Sequence, residues 1–138
     1  MKKLVVRHGV SAANDKSSLA YGSPDAHILT IGMAQSQQMG AELQQLHAIN
    51  LSSEAVATST MLRTYETAQH AGFVSINQYA ILDEATSGLT HHEIRSALTT
   101  KRSPRTAIAK AQMLLECPPS EQIWVTHGLV IAGLCEVL

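Results

Sequence analysis

Two short apolar runs, one near each end of the chain, stop at the same dipeptide. Leu4-Val5-Val6-Arg7 leads into His8-Gly9, and Ile123-Trp124-Val125-Thr126 leads into His127-Gly128. Short apolar, β-branched runs closed by glycine read as buried strands, and the glycine permits the sharp turn that a strand end needs. Open α/β sheets place their ligands beyond the carboxyl ends of the strands. Two strands of one parallel sheet, each ending in His-Gly, would therefore bring two imidazoles to a single edge.

The segments between them read in order. Val10-Ser11-Ala12-Ala13-Asn14 puts small and polar side chains beside a strand end, which suits an anion site because backbone N–H groups and short donors approach oxygens closely. A polar stretch from Asp15 to Ser23, punctuated by Pro24 and Asp25, reads as loop. Thr30 is expected to cap a helix over Ile31–Leu46, with Met39, Leu43 and Leu46 facing the core beside the small Ser36 and Gly40. Gln37, Gln38, Gln44, Gln45 and His47 are read as solvated.

Ala55-Val56-Ala57-Thr58 predicts a second strand, followed by a helix capped by Ser59 or Thr60. Arg63 falls in the first turn of that helix, where the macrodipole disfavours a cation. Either it reaches solvent, or it shares an anion with the helix terminus. The first 94 residues contain only two arginines, Arg7 and Arg63, and each stands at a strand end or a strand-to-helix turn.

Ala80-Ile81-Leu82 reads as a third strand, ending in Asp83-Glu84. Gly88 predicts a turn, and a helix is expected to begin at His91-His92-Glu93 and run through Ile94 and Leu98. Adjacent histidines do not share a helical face. With no CxxC or HExxH spacing anywhere, no metal site is expected. Arg95, Lys101, Arg102 and Arg105 read as a solvated basic face. Thr106–Leu115 predicts a helix burying Ile108, Met113 and Leu115, which Cys117-Pro118-Pro119 ends. Leu129–Leu138 predicts a buried helix with Gly133 and Cys135 as small packing residues.

This alternation predicts a single-domain, three-layer α/β/α sandwich over residues 1–138 around a mostly parallel sheet. Its length fits one domain that builds a core without metal or disulfide staples. A net charge of −1 offers no field to draw nucleic acid or anionic lipid. The apolar run after Met1-Lys2-Lys3 breaks at Arg7, too early for a signal peptide, and no stretch approaches the ~20 apolar residues of a membrane span. Two isolated cysteines, Cys117 and Cys135, read as reduced thiols of a cytoplasmic protein.

Four motifs in the chain carry a resemblance. Arg7-His8-Gly9-x-Ser11-x-x-Asn14 resembles the first signature of the histidine phosphatase superfamily, the phosphoglycerate mutase-like proteins. Ser59-Thr60-Met61-Leu62-Arg63-Thr64-x-x-Thr67-Ala68 is similar to its second motif, whose arginine binds the phosphoryl group. Leu82-Asp83-Glu84 is similar to the Leu-x-Glu that carries the general acid in many branches, and Thr126-His127-Gly128 to the motif of the second catalytic histidine. There are departures. Leu29-Thr30-Ile31-Gly32 is one residue shorter than the usual Leu-Thr-x-x-Gly, a Trp-Glu segment after Glu84 is missing, and only eleven residues follow His127.

The resemblance implies a metal-independent phosphatase without cofactor, acting on a small phosphorylated metabolite or on a phosphohistidine protein. His8 would be the nucleophile and form a phosphohistidine. Arg7 and Arg63 would neutralise the phosphoryl oxygens, joined by His127 if it is protonated in the complex, with Ser11, Asn14 and the Gly128 backbone as lesser donors. Glu84 would give the leaving oxygen its proton. Arg7 is expected to depress the pKa of its neighbour His8 and keep it nucleophilic. A pseudoenzyme that only binds a phosphorylated ligand is the alternative. A mutase is less favoured, since it needs further basic residues and a lid to retain a second phosphate.

Overall fold

Among the described residues four short strands carry the fold: β1 (Leu4–Arg7), β2 (Ala55–Thr58), β3 (Ser75–Gln78) and β4 (Ile123–Thr126). They form one sheet in the order β1-β4-β2-β3, every neighbouring pair parallel. The computed structural model describes residues 2–14, 17–20, 23–86, 93, 96 and 103–138. The expected turn at Gly88, the helix from His91 through Ile94 and Leu98, and the basic residues Arg95, Lys101 and Arg102 lie outside the described residues.

Helices cover both faces. α1 (Thr30–His47) and α2 (Leu62–Ala71) pack on one side, where Leu43, Ala68 and Ala71 meet Val56, Ile123 and Val125. α3 (Arg105–Glu116) and α4 (Gly128–Val137) pack on the other, where Ala107, Ala111, Leu114, Val130 and Leu134 meet Ala57 and Trp124. This is the three-layer α/β/α arrangement expected from the alternation of elements. Successive side chains of a strand point to opposite faces, so Ile123 and Val125 serve one core and Trp124 the other.

Both helix pairs meet through small residues. A Cβ on Gly40 would strike the carbonyl of Ala71, and one on Gly133 would strike that of Ala107. Backbones this close leave no room for large side chains between them. In α1 the buried face is Gly32, Ser36, Gly40 and Leu43, and the expected core residue Leu46 is exposed. In α3 it is Ala107, Ala111 and Leu114, with Met113 and Leu115 exposed and Ile108 only half-buried. In α4 Gly133 packs as expected, but Cys135 faces outward.

Three local expectations are corrected. The third strand is Ser75–Gln78, while Ala80–Leu82 is a 3-10 turn that buries Leu82 completely. An edge strand needs few apolar residues, so Ser-Ile-Asn-Gln lacks the signature that Ala80-Ile81-Leu82 imitates. The cap of α1 is Leu29 rather than Thr30, and it makes no side-chain capping bond. The cap of α2 is Met61, while Ser59 turns its hydroxyl to His127 and Thr60 to Asp83.

Candidate active site

The pairing of Arg7 with Thr126 sets the next residue of each strand, His8 and His127, side by side beyond the sheet edge. His8 donates its backbone N–H to Thr126 O at 3.1 Å. Both imidazoles are buried, and their rings meet edge to face with centroids 5.1 Å apart and planes at 63°.

The proton on His8 is placed by its partners. Nδ1 lies 2.7 Å from the Gly9 carbonyl, which only accepts, so Nδ1 carries the hydrogen. Nε2 is then a lone pair, and it accepts from Arg63 Nε at 3.3 Å. Burial pulls the His8 pKa down to about 4, and Arg63 and then Arg7 push the same way. Arg7 thus acts on His8 as expected, but more weakly than burial or Arg63.

His127 is pulled further the same way: burial first, then Arg63 and His8, takes its pKa down to about 2, so without a bound anion it is neutral. Its Nε2 lies 2.8 Å from Ser59 Oγ, and Nδ1 is buried without a partner among the described residues. Ser59 Oγ also meets Thr64 Oγ1 at 2.8 Å. The serine read as a helix cap is instead the support of the second imidazole.

Arg63 is buried in the first turn of α2, and its Nη1 donates to Ser23 O at 3.1 Å. Burial lowers its pKa, against the opposing pull of Glu84. Thr67 ties this turn to the first loop: it donates to Arg63 O at 2.7 Å and accepts Gly9 N–H at 2.9 Å. Gly9 also lies against α1, where a Cβ would come within 2.6 Å of Gly32 O. Arg7 is exposed. Its Nε lies 3.6 Å from where a Gly128 Cβ would stand, so glycine keeps the guanidinium close to the start of α4.

A cleft of about 360 Å³ opens beside His8, lined by Arg7, Val10, Asn14, Gln35 and Met39 among others. Asn14 reaches this cleft, but Ser11 does not. Ser11 is fully buried, and its N–H and hydroxyl both donate to Asn14 Oδ1 at 3.1 Å. The structure therefore assembles His8, His127, Arg7, Arg63 and Gly128 at one edge and gives Ser11 the task of orienting Asn14. Two fixed guanidinium charges beside a neutral imidazole lone pair suit a tetrahedral oxyanion. Among the described residues no group of three or more His, Cys, Asp or Glu side chains is arranged to hold a metal ion.

Glu84 follows the 3-10 turn in irregular chain, half-buried, with Oε1 accepting Ala85 N–H at 2.9 Å. Its charge acts on Arg63. Asp83 beside it accepts both the N–H and the hydroxyl of Thr60 at 2.7 Å.

A family model for the histidine phosphatase superfamily (branch 1) matches residues 4–111. The chain belongs to that superfamily. The histidine phosphatase match spans His8, Arg63 and Glu84, while His127 lies past it and is brought beside His8 by the pairing of β1 with β4. No curated protein matches the sequence significantly. Solved structures share the fold. The Thermus thermophilus protein TTHB049 has a TM-score of 0.67 at 21% identity, over 100% of this chain and 85% of that one. A mycobacterial glucosyl-3-phosphoglycerate phosphatase, solved as a complex with VO3, has a TM-score of 0.61 at 21% identity, over 100% and 81%. A Mycobacterium tuberculosis open reading frame product has a TM-score of 0.58 at 20% identity, over 96% and 77%.

Among the side chains of this superfamily member that sequence reasoning passed over, Lys110 stands out. It is half-buried on α3 and donates to Asp83 O at 2.6 Å. The available signal was its spacing: Ala107, Lys110, Ala111 and Leu114 fall at i, i+3, i+4 and i+7, so a lysine sits on the buried stripe. Gln35 was also missed; its Oε1 accepts Val10 N–H at 3.0 Å and steadies the loop after His8.

Proposed function

We propose that this chain is a metal-independent phosphatase that hydrolyses a phosphomonoester or a phosphohistidine through a covalent phosphohistidine on His8. The observation that carries this reading is the tautomer of His8. Its hydrogen is tied to Gly9 O at 2.7 Å, so the Nε2 lone pair faces Arg63 Nε, where a phosphoryl group would be held. A neutral imidazole is a competent nucleophile near pH 7, and a pKa near 4 keeps His8 in that form.

In this mechanism substrate oxygens take the place of the His8 lone pair as the acceptor for Arg63, and Arg7 closes on them from the open side. The bond from phosphorus to the leaving group, P–O in an ester or P–N in a phosphohistidine, breaks as the bond to Nε2 forms. Glu84 protonates the leaving oxygen, then takes a proton from the water that releases phosphate from His8. His127, held by Ser59 and packed edge to face against His8, supplies a further donor to a phosphoryl oxygen. Asn14 supplies a further contact at the rim. Ser11 acts through Asn14. The Gly128 N–H, at the start of α4, faces the same charge.

The substrate is a small phosphorylated metabolite or a phosphohistidine protein, and the compartment is the cytoplasm. Both cysteines are free and exposed, which suits a reducing environment, and among the described residues no helix is long and apolar enough to cross a membrane. Rapid-quench labelling with a panel of radiolabelled phosphorylated metabolites and a phosphohistidine protein tests the proposal. An acid-labile, base-stable phosphoprotein that His8→Ala abolishes is the expected result. Ligand binding with no labelling under any donor would establish a binding protein instead.

A further inference from the structure

The chain around Glu84 is irregular, yet its carbonyls are held from several directions. Thr126 Oγ1 donates to Leu82 O at 2.7 Å, Lys110 Nζ to Asp83 O at 2.6 Å and Thr106 Oγ1 to Ala85 O at 2.7 Å. Thr60 grips the Asp83 carboxylate from the opposite side. An ordinary loop satisfies such carbonyls with water. Here side chains from β4 and α3 do so, on the residues that flank Glu84.

Lys110 is the costly member of this set. Drawing a lysine ammonium partly out of water to hold one carbonyl carries a desolvation penalty that a surface lysine avoids. Burial lowers the Lys110 pKa, against the pull of Asp83 and Glu84. Its charge also acts on His127 across the sheet edge. The charged groups around Glu84 are therefore Arg63 from α2, Lys110 from α3 and its neighbour Asp83. Thr106 and Lys110 are one helical turn apart on α3, so a single helix face supplies two of the three carbonyl bonds.

We propose that Lys110 is a positioning residue for Glu84: anchored on the Asp83 carbonyl, it fixes the backbone that aims the Glu84 carboxyl at the leaving group. The proposal rests on the reading of Glu84 as proton donor. It gives Lys110 no contact with substrate, so removing it should weaken proton donation and leave phosphoryl binding intact.

Phenyl phosphate and p-nitrophenyl phosphate test this, since they match in shape around the phosphorus but phenol leaves far less readily than p-nitrophenol. Lys110→Met is expected to lower kcat/KM on phenyl phosphate about tenfold, part of the 10²–10⁴ that general acid catalysis supplies. The p-nitrophenyl ester should change less than about threefold, because it needs little protonation. kcat/KM reports only the transfer to His8, so the later attack of water, which both esters share, does not enter. The ratio of the two rates does not depend on how much protein is folded, so a destabilised variant still reports. In a Glu84→Gln background, Lys110→Met should cause no further loss, and Lys110→Arg alone should keep part of the rate on phenyl phosphate. Equal losses on both esters, or an undiminished loss in the Glu84→Gln background, would overturn the role of Lys110. Glu84→Gln without effect on phenyl phosphate would overturn the acid assignment, and absence of His8 labelling would overturn the phosphatase reading itself.

Discussion

Arg63 donates its Nε–H to the Nε2 of His8 at 3.3 Å, while its Nη1 donates to Ser23 O at 3.1 Å. The guanidinium is therefore fixed in two directions before any ligand arrives, against the one ring atom free to attack phosphorus. A lysine cannot reproduce this fork, having a point charge on a flexible stem. Arg63→Met is expected to lower kcat on p-nitrophenyl phosphate by about 10²–10³, the loss typical of one preorganised oxyanion donor. Arg63→Lys should restore little of it. Steady-state kinetics on protein shown to be folded by circular dichroism checks both.

Vanadate takes the trigonal-bipyramidal geometry of a phosphoryl group in transfer. Between the His8 Nε2 lone pair and the guanidinium of Arg63, it should inhibit competitively, and Arg63→Met should weaken it more than it weakens substrate. Because Arg7 and Arg63 are placed to neutralise the charge that Mg²⁺ handles elsewhere, activity is expected to survive EDTA. Inhibition constants with and without chelator are the measurement. Turnover that needs added divalent metal would contradict the site.

Acid should destabilise the fold through its two central histidines. Burial holds His8 at about 4 and His127 at about 2. Each has a pKa of about 6.5 in the unfolded chain, so below that pH the unfolded state binds protons that the folded state refuses. The stability these groups contribute is complete above pH ~6.5 and is lost as pH falls toward 4, by about 1.4 kcal/mol per pH unit for each histidine. Urea unfolding at pH 7, 5.5 and 4.5 should show the decline, and His8→Asn should make it shallower by about half over that range.

Gly40 offers a stability test far from the chemistry. Alanine raises helix propensity by about 1 kcal/mol over glycine. On α1, however, the added Cβ would strike the Ala71 carbonyl, which is backbone and cannot swing aside. Gly40→Ala is expected to destabilise by about 1–3 kcal/mol, as overpacking does, with the urea m-value unchanged. A stabilised variant would show that α1 and α2 are further apart than described.

Much of the site was legible because its chemistry is local to strand ends. Arg7-His8-Gly9 and Thr126-His127-Gly128 each announce a strand, a turn and an imidazole within a few residues, and Arg63 was conspicuous as a cation in the first turn of a helix. The placement of Glu84 was less legible, since Leu82 belongs to a buried turn and not to a strand. Ser59 and Thr60 have the residue types of helix caps, and nothing near them in the chain says that one supports His127 and the other grips Asp83.

What the order of residues decides here is whatever depends on neighbours along the chain: strands, turns, the alternation that layers helices on a sheet, and which side chains carry reactive groups. What waited for the third dimension is whatever depends on distance between elements. Leu46, Met113 and Leu115 look like core residues by size, but the helices approach through Gly40 and Gly133, and close backbone contact turns large side chains outward. The neutrality of His127 has the same origin. An imidazole alone in water has a pKa of about 6.5, and only enclosure beside His8 and Arg63 removes its proton.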